Sequence, residues 1–282
     1  MKQTRFARPG ATPGRSVHGV ITLPEGRGPF PAALCVHGYT ISCEWGFWPE
    51  LARRLAAVGI ATARYNASGD GFGADLRTVD GLHAVASNTY SAEIADLDRV
   101  RAALASDPRI DSTRAITVGH SRGGAISLMH AAAHGDYRGV VTWAAADSVL
   151  RFSQERIAAW RRDGTIDVMH HGVGHRVTLT RALLDDVERH PERFDVLGAM
   201  RRLHCPALVI HGALDRAVPV SCAHRLAEAF QHPRSEKLVL DDAGHSFGAR
   251  EPLVDFPPRL TTLLARTTGF ACEMLGVTPP AG

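Results

Sequence analysis

Ser121 stands in Gly119-His120-Ser121-Arg122-Gly123-Gly124, directly after the apolar run Ala115-Ile116-Thr117-Val118 and before a segment of helical character. A serine flanked by glycines at a strand-to-helix turn is the arrangement of a nucleophile elbow. Such a turn leaves no room for side chains at Gly119 or Gly123. It also lifts the hydroxyl clear of the backbone, at a helix N-terminus that favours developing negative charge. A serine hydroxyl is a weak nucleophile until a base takes its proton, and that base is a histidine held in one tautomer by a carboxylate. Of the 15 histidines, His245 alone combines a late position, a loop after a strand and flanking glycines, in Asp242-Ala243-Gly244-His245-Ser246-Phe247-Gly248. His18, His83, His134, His190 and His232 read as solvated or locally bonded side chains.

Two carboxylates compete to orient His245. Asp215 follows the run Ala207-Leu208-Val209-Ile210-His211, and Asp147 follows the run 139–145. Asp215 is favoured because it gives the chain order serine, aspartate, histidine. Asp241 and Asp242 read as cap or turn residues. Acyl transfer also needs donors for an oxyanion. The backbone N–H of Arg122 is one, and the N–H of Tyr39, in His37-Gly38-Tyr39-Thr40, is the second. His37 reads as structural, bonded beneath its loop.

These loops require a sheet to hold them. Short apolar or β-branched runs at 17–23, 32–36, 60–65, 115–118, 139–145, 207–211 and 237–240 read as strands. Between them lie helical stripes: Leu51, Leu55, Val58; Ile94, Leu97, Val100, Leu104; residues 122–134; Ala223, Leu226, Ala227, Phe230; and Leu260, Leu263, Leu264. Alternation of this kind predicts an α/β architecture, a mainly parallel sheet covered on both faces, with chemistry in the loops after the strands. Residues 148–204 break the alternation with a helix over Ser153–Arg161, a hairpin around Gly172 and Gly174, and a helix over Thr180–Arg189. This stretch is too long for a plain connection and predicts a lid inserted into a core made of 1–147 and 205–282. The tail after Met274 is expected to fray.

The motifs together resemble the α/β-hydrolase superfamily, nearest to bacterial serine hydrolases of the esterase and serine-aminopeptidase-like type. His37-Gly38-Tyr39-Thr40, the loop Asn66–Gly73, Gly119–Gly124, His211–Pro219 and Ala243–Gly248 occur in the family's order, and the likeness spans roughly residues 17–270. The resemblance implies an eight-stranded, mostly parallel sheet with one antiparallel strand near the start. It also implies a triad of Ser121, Asp215 and His245, and a variable cap at 148–204. The expected activity is hydrolysis of a small to medium hydrophobic carboxylic ester through an acyl-enzyme. Peptidase, thioesterase or acyltransferase chemistry would use the same triad, and a non-catalytic small-molecule binder on this fold is the reading from another class. A serine at the elbow argues against halide displacement. An aminopeptidase would need an acidic group for a substrate ammonium, and Glu44 is the nearest candidate.

Composition narrows the remaining classes. The 282 residues carry 32 basic and 29 acidic side chains, a net charge of +3, with 45% hydrophobic and 22% charged residues. These values fit a globular chain and exclude fibrous, disordered and disulfide-scaffold classes. Basic residues are scattered, so no nucleic-acid footprint is expected. No apolar run is long enough for a membrane span, and the N-terminus shows no signal peptide, which predicts a cytoplasmic protein. The five cysteines read as reduced and mostly buried. Gly69-x-Gly71 imitates a dinucleotide fingerprint but is read as a flexible loop beside the site, and no cofactor is expected. His130 and His134 share a helical face with only alanines between them, and His170, His171 and His175 lack a carboxylate or cysteine partner at ligand spacing, so no metal is expected. Trp45, Trp48, Trp160 and Met169 are the candidate substrate-pocket residues. A small-molecule ester is the expected partner, and a homodimer the candidate assembly.

Overall fold

The computed structural model describes residues 1–278; the final Pro-Pro-Ala-Gly, part of the tail expected to fray, lies outside them. Three strands open the chain, β1 (Lys2–Pro9), β2 (Ser16–Leu23) and β3 (Phe30–Val36), followed by α1 (Phe47–Ala57) and β4 (Ala61–Asn66). Then come α2 (Leu82–Ser87), α3 (Tyr90–Ala105), β5 (Ile110–His120), α4 (Arg122–His134) and β6 (Gly139–Trp143). The inserted stretch holds α5 (Gln154–Asp163), β7 (Thr165–His170), β8 (His175–Thr180), α6 (Ala182–Arg189) and α7 (Val196–Arg201). The chain closes with β9 (Ala207–Gly212), α8 (Ser221–Glu228), β10 (Glu236–Leu240) and α9 (Pro258–Leu275).

Eight strands form one sheet in the order β1-β2-β4-β3-β5-β6-β9-β10. β2 runs antiparallel to both its neighbours, and every other pairing is parallel. The parallel strands therefore end at a common edge, where the loops after β3, β4, β5, β9 and β10 gather. The chain moves outward in opposite directions from β3, to β4 on one side and β5 on the other, and ligands on such sheets collect at that kind of reversal.

Period-two alternation divides the strand side chains between two cores. Ala32, Leu34 and Val36 face a layer containing Leu97, Val100, Leu104, Ile126 and Met129 of α3 and α4. Ala33 and Cys35 face Leu51, Leu55, Leu260, Leu263 and Leu264 of α1 and α9. Strands buried on both faces read as unbroken apolar runs, which is why these were visible in the sequence. β1 was not foreseen: its residues are almost all exposed and it pairs only with β2 at the sheet edge. Neither α2 nor α7 was foreseen, because six residues are too few to show a helical stripe.

Local chemistry fixes the helix ends. Thr89 Oγ1 accepts the Ala92 N–H at 3.1 Å to start α3, and Gly135, at a φ of 71°, closes α4. Residues 148–204 stand apart from the main sheet, with β7 and β8 paired only to each other. Asp186 of α6 accepts the N–H and hydroxyl of Ser91 at 2.9 and 2.6 Å, tying the insertion to α3. The turn of the β7–β8 hairpin touches the loop after β3, where a Cβ on Gly172 would stand 2.9 Å from the Thr40 carbonyl oxygen. All five cysteines are buried and free. No helix of the described residues is long and apolar enough to cross a membrane.

Candidate active site

At the end of β5 the backbone of Ser121 takes φ 54° and ψ −120°, a conformation that residues with a side chain avoid. Its N–H donates to the Trp143 carbonyl at 2.8 Å, which locks the turn against β6. The flanking glycines are required sterically. A Cβ on Gly119 would lie 2.3 Å from the Gly123 oxygen, and one on Gly123 would lie 2.2 Å from the Val36 oxygen.

The loop after β3 approaches the elbow equally closely: a Cβ on Gly38 would meet His120 Nδ1 at 2.8 Å and Ser121 Cβ at 3.2 Å. Tyr39, from the loop after β3, and Arg122, at the start of α4, thus flank Ser121. Among the described residues neither backbone N–H has a hydrogen-bond partner, leaving both free to serve a ligand. His37 lies beneath this loop, its Nε2 2.9 Å from Asp70 Oδ2 and its Nδ1 2.8 Å from the Gly38 oxygen.

Asp215 and His245 meet at 2.7 Å, Oδ2 to Nδ1. The other carboxylate oxygen, Oδ1, accepts the N–H groups of Ala217 and Val218, each at 2.8 Å. His211, at the end of β9, donates Nε2–H to the Val218 carbonyl at 2.8 Å and stands 3.4 Å from Asp215 Oδ2. Burial works against ionisation of Asp215. The His211 Nε2–H beside it, the hydrogen bond and charge of His245 and the Val218 N–H outweigh it and hold the carboxyl well below its usual range. Asp147, the rival, is bound instead to Arg225 Nε, and that contact keeps it ionised despite its burial.

His120 links the two halves of the site, a role the sequence did not reveal. Its Nε2–H donates to the His245 carbonyl at 3.0 Å, and the two rings lie 4.7 Å apart. Burial first, and the adjacent His245 ring second, push His120 down to about 3, so it stays neutral with its proton on Nε2. Ser121 and His245 are not hydrogen-bonded to each other, and in ligand-free sites such bonds are often long until substrate arrives.

Ser121 opens into a cavity of about 230 Å³. Tyr90, Phe152, Val168, Leu179 and Leu183 line it, so its wall comes from the start of α3 and from the insertion. The Arg122 side chain also lines it, lying 3.8 Å over the Tyr90 ring and 2.5 Å from Glu93, which neutralises it. Burial pushes the Tyr39 phenol up to about 12 and keeps it neutral.

The four residues assigned to the substrate pocket lie elsewhere. Trp48 is buried between α1 and the sheet, stacked on Trp143 at 5.2 Å, and Trp45 packs edge-on to Phe47 in the same layer. Trp160 is buried inside the insertion and donates Nε1–H to the Thr180 carbonyl at 3.1 Å, while Met169 is exposed. The apolar surface of the three tryptophans packs the scaffold. Glu44, the candidate for a substrate ammonium, is paired to Arg64 at 2.8 Å. The Gly69–Gly73 loop, read as flexible, is anchored by Asp70 on His37 and by Ser68, whose N–H and hydroxyl both donate to Asp96 Oδ2. Away from the cavity, Asp98 of α3 meets His130 and His134 of α4. Asp98 lies 32 residues before His130, so no local spacing announced it.

Several solved structures share this architecture. Est1E from Butyrivibrio proteoclasticus superposes with a TM-score of 0.71 at 15% identity, over 96% of this chain and 99% of that one. The α/β hydrolase GrgF from Penicillium sp. sh18 gives 0.73 at 16%, over 98% and 100%. The esterase domain from a Rhodothermus marinus protein gives 0.66 at 20%, over 98% and 100%. No functionally curated protein matches the sequence significantly. The sequence model of the alpha/beta hydrolase family matches residues 33–256, most of the chain, and with an elbow after β5 at the parallel edge of an eight-stranded sheet this chain belongs to that family.

Proposed function

We propose that the protein is a serine hydrolase acting on carboxylic esters through an acyl-enzyme. The observation that carries this reading is the Asp215–His245 pair, 2.7 Å apart, in loops beside a strained serine that opens on an apolar cavity. Asp215 fixes the imidazole with its proton on Nδ1, leaving Nε2 to accept the Ser121 proton as the hydroxyl attacks the ester carbonyl. The carbonyl oxygen gains charge and is received by the Tyr39 and Arg122 N–H groups, with the α4 N-terminus behind it. His245 then protonates the leaving alcohol, and water activated by the same ring releases the acid.

The cavity favours a modest hydrophobic group. Its volume of about 230 Å³ is below the usual range for drug-sized ligands, roughly 300–1,000 Å³. The ion pair between Glu44 and Arg64 leaves no free acid at that position for an amino-terminal ammonium, which favours an ester over an aminopeptidase substrate.

The test is hydrolysis of p-nitrophenyl esters of increasing acyl length, with Ser121→Ala alongside. Turnover is expected for short to medium chains and should fall at least about a thousandfold in the variant. Turnover surviving in Ser121→Ala would remove the serine from the reaction. If neither protein turns over any ester and a fluorophosphonate leaves Ser121 unlabelled, the binding-module reading replaces this one.

A further inference from the structure

Asp98, His130 and His134 form a cluster on the side of the molecule where α3 crosses α4. Asp98 Oδ1 stands 3.0 Å from His130 Nε2 and 2.8 Å from His134 Nε2, and the two rings stack with centroids 4.2 Å apart. Three ligand-type atoms, all within 4.8 Å of one another, therefore point at one small volume. We propose that these three side chains bind one divalent transition-metal ion of the zinc type, with solvent completing the coordination.

The donor set suits such an ion. Two imidazole nitrogens and a carboxylate oxygen are the ligands of open, three-residue zinc sites. In tetrahedral geometry with bonds of about 2.0–2.1 Å, ligand atoms stand about 3.3 Å apart. The two separations from Asp98 Oδ1 are shorter by only a few tenths of an ångström, and all three atoms lie within 4.8 Å of one another. Asp98 is about half exposed and can move outward by that amount, and His134 beside it leaves a path for the ion to enter.

A supporting shell is also present. His130 is buried, and its second ring nitrogen, Nδ1, lies 3.0 Å from the Tyr137 hydroxyl. Metal-bound histidines commonly use their other nitrogen in this way, which fixes the ring orientation. Arg101, a cation whose charge reaches His130, lies over the Tyr137 ring and is bonded to Asp136, so its charge is largely met before it reaches Asp98. Without metal, Asp98 holds both Nε2–H groups. With the ion bound, each Nε2 faces the metal and each ring carries its proton on Nδ1, where His130 then donates to Tyr137. The ion would clamp α3 to α4 at the end opposite Glu93 and Arg122, which join the same two helices at the cavity.

Isothermal titration of tag-free, chelator-treated protein with zinc chloride tests the site. One equivalent per chain is expected, with affinity lowered more than about a hundredfold by Asp98→Ala or His134→Ala and roughly tenfold by Tyr137→Phe. Cobalt(II) should give the intense visible bands of a four-coordinate ion, lost in the same variants. The double variant His171→Ala/His175→Ala separates this site from the histidines of the β7–β8 turn and should bind as the wild type does. Absence of stoichiometric binding by the wild type overturns the proposal, as does binding that persists in Asp98→Ala/His134→Ala. Both changes are on half-exposed side chains, and circular dichroism identifies any variant lost to misfolding; Asp98→Asn then replaces it.

Discussion

Two aspartates follow neighbouring strands beside the elbow, and their surroundings decide which can serve His245. Asp147 spends its charge on Arg225, whereas Asp215 is held by two backbone N–H groups with Oδ2 turned to the imidazole. Asp215→Asn should therefore lower kcat by about four orders of magnitude with little change in KM, because the amide stabilises the wrong tautomer and no imidazolium. Asp147→Asn should change kcat by less than about tenfold, since its partner is a surface arginine. Steady-state kinetics on the best ester distinguishes the two, and equal losses would mean that both carboxylates act on the histidine. Chain order had already favoured Asp215. The part of His120 was not legible, because a histidine inside the elbow motif carries no sequence sign of donating to a carbonyl 125 residues away.

Elements position these side chains through contacts with no slack. The α4 N-terminus meets β3 at Gly123, where an added methyl would stand 2.2 Å from the Val36 oxygen. Gly123→Ala should destabilise the protein by about 2–3 kcal/mol through overpacking and abolish turnover by displacing the elbow, read by urea unfolding and the ester assay. An alanine variant with native stability and rate would show that the turn has room. The hairpin supplies a different control. Val168 of β7 lines the cavity, so Val168→Phe should shift the acyl-length profile to shorter chains, leaving the shortest ester within about threefold of wild type. An unchanged profile would place the acyl group elsewhere. The cavity wall was the least legible feature, because its residues come from α3 and from the insertion, which meet only in the fold. Trp48 was misread for its closeness to Tyr39 in the chain. With Leu51 and Leu55 it forms a stripe at helical spacing, which was a visible sign that it faces the core.

For the molecule as a whole, the buried histidine beside the elbow makes stability sensitive to acid. His120 has a folded-state value of about 3 against an ordinary 6.5, first because of burial and then because of His245. Between these values the unfolded chain takes up a proton that the folded protein refuses. Its contribution is thus complete above about 6.5 and drains away as pH falls toward 3. Asp215 acts in the same sense at lower pH: its depressed value stabilises the fold above the carboxylate range, and that stabilisation is lost as acid protonates the group. His37 opposes them. Burial disfavours its charge, but the hydrogen bond and charge of Asp70 outweigh burial and raise it, so its contribution is full in acid and fades as pH rises. The separate effect of His120 emerges from a variant that keeps the donor and loses the titration. His120→Gln can still offer an N–H to the His245 carbonyl. Unfolding free energies of the two proteins, measured in urea from pH 7 to pH 4, should converge by about 3 kcal/mol on acidification as the wild type loses what the variant never had. Parallel curves would mean that His120 accepts its proton in the folded state, and the contact between β5 and the His245 loop would then have to survive a charged ring.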